Sequence, residues 1–270
     1  MKILVFTGGL GNQIFGYAFY HYLRERFPQE KIYGLYSKWK MNEHYGLEID
    51  KYFNVDLPKS TCLSNLIAGC LFVAKRLRIS KSLVDMDTRT FRPSTIVNTA
   101  CKTHRDYLPQ DPLWLTFKNI PLEGKNNLIL SEIEKTSSVF IHVRRGDYYS
   151  PEYIQKLGGT CPIGYYHTAI AYVASLVKEP SYFVFSDDIA WVKENINIEN
   201  AAYIDWNTGT KSYIDLYLMA QCKYAIIANS TFSFWGAMLG RKKEIVCYPK
   251  HWVNPPYTPP EICPLDWKRI

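Results

Sequence analysis

Four segments of this 270-residue sequence place glycines or polar side chains directly after an apolar run. They are residues 7–13 (TGGLGNQ), 142–147 (HVRRGD), 186–188 (SDD) and 229–236 (NSTFSFWG). Arginine and the free N–H groups of a helix start bind phosphate, whereas histidine and aspartate can hydrogen-bond a polar ring. The residue types therefore favour a ligand that carries phosphate groups and a base.

The glycine segment connects an apolar strand to a helix. Gly9 and Gly11 let the backbone approach a ligand, and Asn12 and Gln13 lie where a helix start offers N–H groups to an anion. The spacing departs from the dinucleotide fingerprint G-x-G-x-x-G, because isoleucine replaces the third glycine, and no P-loop Lys-Ser/Thr pair follows. A tight turn that needs glycine for its own geometry explains the same residues, so both interpretations stay open.

The second segment ends the predicted strand 138–143. Side chains alternate along a strand, so His142 and Arg144 point to one face and Arg145 to the other. An imidazole and a guanidinium on one face could read a base edge and clamp a phosphate. Arg145 and Asp147 have a simpler alternative, a local ion pair that fixes the turn.

The third and fourth segments open helices. Asp187 and its neighbour Asp188 are typical helix caps, and their spacing is not that of a D-x-D magnesium site. Ser230 and Thr231 offer hydroxyl and N–H groups to a diphosphate, but the same residues make a well-capped helix. Upstream, Asp215 interrupts an apolar helix, where it could accept the two donors of a guanine edge or lie on an exposed face.

Strand and helix patterns alternate along most of the chain. The predicted strands are 2–6, 138–143, 182–185, 224–228 and 245–248, and the predicted helices are 13–27, 64–77, 165–177, 189–195, 213–220 and 232–239. Fully apolar strands between helices are typical of a parallel sheet covered on both sides, and such sheets bind ligands at the carboxyl ends of their strands. This pattern predicts an α/β fold that brings the polar segments together.

Composition narrows the class of protein. A hydrophobic content of 47% supports a sizeable core, and seven widely spaced cysteines without a C-x-x-C motif predict neither a zinc site nor a full disulfide set. The net charge of +7 lies wholly in residues 1–130, which hold 18 basic and 11 acidic side chains. The apolar start of the chain is too short for a signal-peptide core or a membrane anchor and is interpreted as the first strand of the fold. The cysteine pattern predicts a reducing compartment, and we expect a cytoplasmic protein.

Taken together, GGLGNQIFGYAFY (8–20), HVRRGDY (142–148), FVFSDD (183–188) and NSTFSFWGAMLG (229–240) resemble the bacterial α-1,2-fucosyltransferase family. The resemblance implies a GT-B-like fold of two Rossmann-type halves whose parallel sheets face a central cleft. Residues 1–130 would form the acceptor-side domain, and residues 131–270 the GDP-fucose-binding domain with a proline-rich C-terminal wrap. It also implies inversion at the fucose anomeric carbon and no required metal or other cofactor.

The resemblance assigns roles to individual residues. Arg144 contacts the β-phosphate, His142 and Asp215 contact guanine, and Asn12 lies in the catalytic cleft. Asp147 and Glu152 are the candidate bases. The remaining predicted donor-binding residues are Gly9, Gly11, Gln13, Asp187, Asn229, Ser230, Thr231 and Phe232.

The predicted function is transfer of L-fucose from GDP-fucose to the 2-hydroxyl of a galactoside in a surface glycan. Two alternatives stay open: a GDP-fucose transferase of another linkage, and a non-catalytic protein that binds a sugar nucleotide or a glycan. The sequence departs from the family pattern at Phe234, which precedes Trp235 where a tryptophan pair is usual.

The basic excess of the first half predicts a further partner. It is concentrated in Lys75, Arg76, Arg78, Lys81, Arg89 and Arg92. Such a cluster favours an anionic membrane surface or a lipid-linked acceptor at the inner face of the membrane. Nucleic acid is not expected, because the basic residues form no helical stripe interleaved with stacking aromatics.

Overall fold

The computed structural model describes residues 1–36, 41, 44–79, 83–85, 95–98, 104–109, 114–157, 159–255 and 261–270. These residues form two compact units. The first comprises the described residues of Met1–Trp114 and Pro260–Cys263, and the second those of Leu115–Pro259 and Pro264–Ile270.

The first unit is built on a parallel sheet. Its elements are β1 (Lys2–Phe6), α1 (Leu10–Arg26), β2 (Ile32–Tyr36), α2 (Ile49–Tyr52), α3 (Cys62–Arg76), β3 (Val84–Asp85) and β4 (Ile96–Asn98). The strand order is β2-β1-β4-β3, with every pair parallel. All five residues of β1 are buried, as expected for an apolar strand covered on both faces.

The second unit contains a larger parallel sheet. Its elements are α4 (Lys125–Lys135), β5 (Ser137–Val143), α5 (Pro151–Leu157), α6 (Ile163–Leu176), β6 (Pro180–Ser186), α7 (Ile189–Asn195), β7 (Ala202–Ile204), α8 (Ser212–Gln221), β8 (Tyr224–Ile226), α9 (Thr231–Met238), β9 (Ile245–Tyr248) and β10 (Lys268–Arg269). The order β10-β9-β8-β5-β6-β7 places β5 inside the sheet. A core of β-branched and aromatic residues packs beneath it, including Val139, Ile141 and Tyr166.

The topology confirms the predicted GT-B-like α/β class, with a parallel sheet in each of two Rossmann-type halves. The central cleft between the halves stays a prediction. Strands β2, β3, β4 and β7 were not predicted, because they are short or lie in irregular polar stretches. The C-terminal tail, predicted to be irregular, also contains β10, which pairs with β9 through Lys268 opposite Cys247.

The structure divides the chain between residues 114 and 115, whereas the sequence predicts a division at 130/131. The predicted boundary falls inside α4. The difference arises because α4 packs against α8 and β5 of the second unit. The assignment of acceptor and donor to the two halves stays a prediction.

The buried side of α8 should be one of the main sources of stability of the second unit. Leu218 is fully buried, so we expect Leu218→Ala to lower the free energy of unfolding by about 2–5 kcal/mol through lost burial and the cavity left behind. The matched control is Leu128→Ala on α4, since Leu128 is 67% exposed and its truncation should change stability by under about 0.5 kcal/mol. Urea unfolding followed by circular dichroism measures both, and equal losses would contradict the assigned core.

Candidate active site

The polar segments of the second unit meet at one edge of its sheet. In the parallel register, Val143 pairs with Ser186 and Ile141 pairs with Ile226. The chain therefore leaves β5, β6 and β8 at the same edge. This edge is the carboxyl end of the strands, where α/β sheets bind their ligands.

Arg144 is held at this edge by Asp187. Its Nη1 atom lies 2.9 Å from Oδ2 of Asp187, and both side chains are partly exposed. The other oxygen, Oδ1, accepts a hydrogen bond of 2.9 Å from the backbone N–H of Arg145. A Cβ atom at Gly146 would lie 2.6 Å from Oδ2 of Asp187, so a side chain at this position would displace the carboxylate from Arg144. Asp187 thus orients a guanidinium that remains accessible to a ligand.

Arg145 has a structural role. Its Nε donates to Oδ2 of Asp188 at 3.0 Å, and its guanidinium lies 3.4 Å from the centre of the Trp191 ring. Asp188 also caps α7 by accepting from the N–H of Trp191 at 3.2 Å. Of the two neighbouring aspartates, Asp188 is therefore the helix cap. The partner of Arg145 is Asp188, while the side chains of Asp147 and Glu152 lie outside the described part of the chain.

His142 is buried at the end of β5 beside α9. Its ring centre lies 5.9 Å from that of Phe232. Burial, assisted by the positive charge of Arg144, lowers the pKa of His142 to about 4, so the imidazole is neutral at pH 7. Nδ1 is buried and has no hydrogen-bond partner among the described residues. A neutral ring with an unused nitrogen suits hydrogen bonding to a base better than charge pairing with a phosphate.

The turn after β8 combines a buried amide with a helix start. Asn229 is buried, and its amide donates to the carbonyls of Gly159 and Trp252 and accepts from the thiol of Cys161. This side chain therefore fastens three chain segments, and its predicted contact with the donor stays a prediction.

Ser230 caps α9, because its Oγ accepts from the N–H of Phe232 at 3.3 Å. Thr231 and Phe232 are half-buried in the first turn of the helix. Tyr148 connects this turn to Arg144: its hydroxyl donates to the carbonyl of Asn229 at 3.1 Å, and its ring centre lies 5.7 Å from the Arg144 guanidinium. Tyr148 thus links the Arg144 side chain to the turn that opens α9.

Asp215 belongs to a buried polar network that the sequence did not reveal. Its Oδ1 accepts from Asn207 at 2.7 Å, and the amides of Asn207 and Asn126 donate to each other at 2.9 Å. Trp206 donates to the same Asn126 oxygen at 2.8 Å. Burial raises the pKa of Asp215 to about 7, although the hydrogen bond from Asn207 opposes the shift. The alternative of an exposed helix face is therefore wrong.

The glycine turn of the first unit is organised around Gln13. This side chain is fully buried; it donates to the carbonyls of Gly8 and Gly46 and accepts from the N–H groups of Glu48 and Ile49. All of these hydrogen bonds serve the turn itself. The predicted contact of Gln13 with the donor gains no support from this geometry and stays a prediction.

Glu48 supplies the negative charge that the start of α1 attracts. The N–H of Leu10 donates to its carboxylate, and burial raises the pKa of this side chain. Gly9 is the N-cap of α1 and provides no side-chain cap, and Gly11 is buried within the first turn. Asn12 is half-buried there. The helix start is thus partly satisfied by the protein, which sequence reasoning missed because Glu48 is 35 residues from Gln13.

Within the described ranges, no group of three or more His, Cys, Asp or Glu side chains could hold a metal ion. Nor does any helix there combine the length and apolar composition needed to cross a bilayer.

An arginine oriented at the carboxyl edge of a Rossmann-type sheet, on the same edge as a helix N-terminus, suits a ligand that carries phosphate groups. The chain belongs to glycosyl transferase family 11, whose model matches residues 104–269. This match confirms the resemblance to α-1,2-fucosyltransferases. The protein is accordingly a glycosyltransferase that uses a nucleotide-sugar donor and a glycan acceptor.

Individual relatives agree with the family. An α-1,2-colitosyltransferase from Escherichia coli is 30% identical over 100% of this chain and 99% of its own. The O-antigen biosynthesis glycosyltransferase WbnK from Escherichia coli is 26% identical over 91% of this chain and 93% of its own. The galactoside 2-α-L-fucosyltransferase SEC1 from Bos taurus is 31% identical over 37% of this chain and 28% of its own.

Among solved structures, the ADP-heptose LPS heptosyltransferase II of E. coli aligns with 100% of this chain and 90% of its own. The TM-score is 0.45 and the sequence identity is 14%.

The Asp215 network makes a pH-dependent contribution to stability. Because the pKa of Asp215 is about 7 in the folded state and near 3.8 otherwise, the native state keeps a proton that the unfolded state loses between these pH values. The free energy of unfolding should therefore fall as pH rises from about 4 to about 7, at about 1.4 kcal/mol per unit of pKa shift. Asp215→Asn should remove this dependence on pH. Relative to the wild type, its free energy of unfolding should therefore increase by a few kcal/mol between about pH 4 and pH 7.5.

Urea unfolding across this pH range measures the difference between the two proteins. The lowered pKa of His142 makes the free energy of unfolding rise with pH. This contribution is the same in the wild type and the variant, so it cancels in the difference between them. Asp205→Asn is the matched control, since Asp205 is exposed and its variant should follow the wild type at every pH. A constant difference between wild type and Asp215→Asn would contradict the raised pKa.

Proposed function

We propose that this glycosyltransferase transfers L-fucose from GDP-fucose to the 2-hydroxyl of a galactose unit in a glycan acceptor, with inversion at the anomeric carbon. The observation that carries the proposal is Arg144, whose partly exposed guanidinium is oriented by Asp187 at the carboxyl edge of β5. The family match and the galactoside 2-α-L-fucosyltransferase relative support the reaction type and the linkage.

The chemistry requires positive charge at the leaving group. When the bond between the sugar and the diphosphate breaks, negative charge develops on the β-phosphate. Positive groups and N–H groups fixed at this position therefore stabilise the transition state most strongly. Arg144 supplies a charged fork of donors, and the first turn of α9 supplies backbone N–H groups. Asp187 keeps the guanidinium in place before the donor binds. We propose that these groups stabilise the leaving diphosphate without a required metal.

The nucleobase would be read by His142 and Asp215. A guanine edge presents two adjacent donors, which an ionised carboxylate can accept together. The hydrogen bond from Asn207 favours the ionised form of Asp215 against the effect of burial. The neutral imidazole of His142 offers its unused nitrogen to the base. For the general base we retain Asp147 and Glu152 as candidates, and Asn12 as a further residue of the catalytic site.

A second candidate donor is supported by the α-1,2-colitosyltransferase relative, which covers the whole chain. Colitose is the 3-deoxy form of L-fucose, so the two donors would differ by one hydroxyl group on the sugar. The diphosphate and nucleotide contacts proposed above apply equally to both. Only the sugar contacts would distinguish them.

The acceptor is proposed to be a surface glycan under construction. The O-antigen glycosyltransferase relative supports a bacterial surface polysaccharide. We propose that such a glycan is carried on a lipid and that the reaction takes place at the cytoplasmic face of the membrane.

Donor binding can be tested separately from turnover. Calorimetry should show that GDP binds in the presence of a chelator and more tightly than UDP or CMP, because guanine alone presents the donor pair that Asp215 accepts. Asp215→Asn should remove most of this preference, since an amide cannot accept two donors in the same way. Absence of GDP affinity, or tighter binding of UDP or CMP, would refute the proposed donor.

Arg144 should be needed for catalysis more than for folding. We expect Arg144→Ala to lower kcat/KM by about 10²–10³-fold, equivalent to roughly 3–4 kcal/mol of transition-state stabilisation. Arg241→Ala is the matched control, because Arg241 is an exposed arginine outside this edge of the sheet. Thermal unfolding verifies that both variants fold, and an active Arg144→Ala enzyme would remove the basis of the proposal.

The sugar and the linkage require product analysis. Incubation of GDP-fucose or GDP-colitose with a panel of galactosides, followed by NMR of the product, should show an α-1,2 linkage to galactose. Transfer to another hydroxyl would support a GDP-sugar transferase of different linkage. Failure to transfer either sugar to any acceptor, with GDP binding intact, would favour a non-catalytic sugar-nucleotide-binding protein.

A further inference from the structure

Helix α3 of the first unit has two apolar sides, and only one of them faces the core. Ala68 is buried against the sheet in a cluster with Ile3 and Val5, and Ile67, Leu71 and Phe72 pack beside it. Ser64 is buried on the same side and completes a capping box with Thr61, through two hydrogen bonds of 3.0 Å. This side accounts fully for the attachment of the helix to its unit.

The other side is exposed, although it is also apolar. Leu63, Leu66, Val73 and Leu77 are 67%, 66%, 57% and 62% exposed, and Cys70 lies exposed between them. These residues follow one another at intervals of three and four positions, so they form one continuous stripe along the helix. We refer to these five residues as the outer stripe. Exposed apolar patches of this kind mark interaction surfaces.

The chain segment that contains the outer stripe carries charge of one sign only. Residues 57–84 contain no Asp or Glu but five basic residues, namely Lys59, Lys75, Arg76, Arg78 and Lys81. Arg76 and Arg78 are exposed at the end of α3, next to Leu77 of the stripe. Lys81 lies outside the described residues, as do Arg89 and Arg92 of the predicted basic cluster. The exposed surface of α3 is thus apolar with a basic end.

The end of the helix retains an arginine where glycine is usual. Arg78 has a φ of 60°, and the N–H groups of Arg78 and Ile79 donate to the carbonyls of Lys75 and Ala74 in a Schellman motif. Glycine would adopt this left-handed conformation without strain. The arginine instead places a positive charge between two exposed apolar side chains, since Ile79 is 76% exposed.

We propose that α3 is the element through which this protein binds an anionic membrane surface. The outer stripe would enter the boundary between headgroups and acyl chains, and Lys75, Arg76 and Arg78 would contact anionic lipid headgroups. A second copy of the chain fits this surface less well, because it would bring two acid-free basic segments against each other. The membrane is the occupant whose charge complements the helix.

The binding test uses the full-length protein and lipid vesicles. Phosphatidylcholine vesicles that contain phosphatidylglycerol should co-sediment with the protein at low salt, and vesicles of phosphatidylcholine alone should bind it much less. Added salt should weaken binding, because the electrostatic attraction is screened.

Two double variants separate the apolar and the charged contributions. We expect Leu66→Ser/Val73→Ser and Lys75→Glu/Arg76→Glu each to weaken binding to the anionic vesicles by at least about tenfold. The matched controls are Leu128→Ser, a similarly exposed leucine of α4, and Lys242→Glu, an exposed lysine of the second unit; both should bind as the wild type does. Activity on a soluble acceptor should be unchanged in all four, because none alters the site around Arg144.

Several results would overturn the proposal. These are absence of binding to anionic vesicles, equal loss in the control variants, or unchanged binding in both α3 double variants. Sedimentation velocity tests whether a second copy of the chain, rather than a membrane, covers the outer stripe. A second copy would be shown by a wild-type dimer that becomes monomeric in the Leu66→Ser/Val73→Ser variant. Because the vesicle assay does not require turnover, its failure is distinguishable from failure of the proposed transferase activity.

Discussion

The candidate active-site edge of the second unit depends on the two interactions that the carboxylate of Asp187 makes. This carboxylate joins two neighbouring strand ends by accepting from the Arg144 guanidinium with one oxygen and from the Arg145 N–H with the other. A charge-assisted pair of this kind is directional, so it fixes where the positive charge points. The absence of a side chain at Gly146 allows this close approach. Without this carboxylate, the Arg144 guanidinium would not be held in place before a ligand binds.

Other polar residues of the two units show how strongly burial decides a side chain's role. Gln13 and Asn229 resemble ligand contacts in sequence, yet both are buried and their amides bond to the protein's own backbone. The sequence does not mark Asn207 and Asn126 as site residues, yet Asn207 donates a hydrogen bond to Asp215 and is itself bonded to Asn126. A buried polar group requires partners, and these partners lie up to 81 residues away along the chain. Local pattern cannot reveal them.

The positively charged side chains of the protein occur in two different arrangements. At the strand edge of the second unit, the guanidinium of one arginine, Arg144, is held in place by the carboxylate of Asp187. In the first unit, Lys75, Arg76 and Arg78 lie at the C-terminal end of the apolar outer stripe of α3. The first arrangement is suited to one phosphate-bearing ligand, and the second to an extended anionic surface. Net charge alone, at +7, does not separate them.

The sequence by itself determined the α/β class, most of the longer elements, and the segment in which Arg144 and His142 lie. It could do so because alternating apolar strands and helices oblige the chain to form a parallel sheet whose polar ends meet. Only the tertiary structure decided that Arg145 pairs with Asp188, that Glu48 serves the start of α1, and that one apolar side of α3 is exposed. These depend on which residues distant in sequence share a buried environment, a property of packing that no local pattern contains.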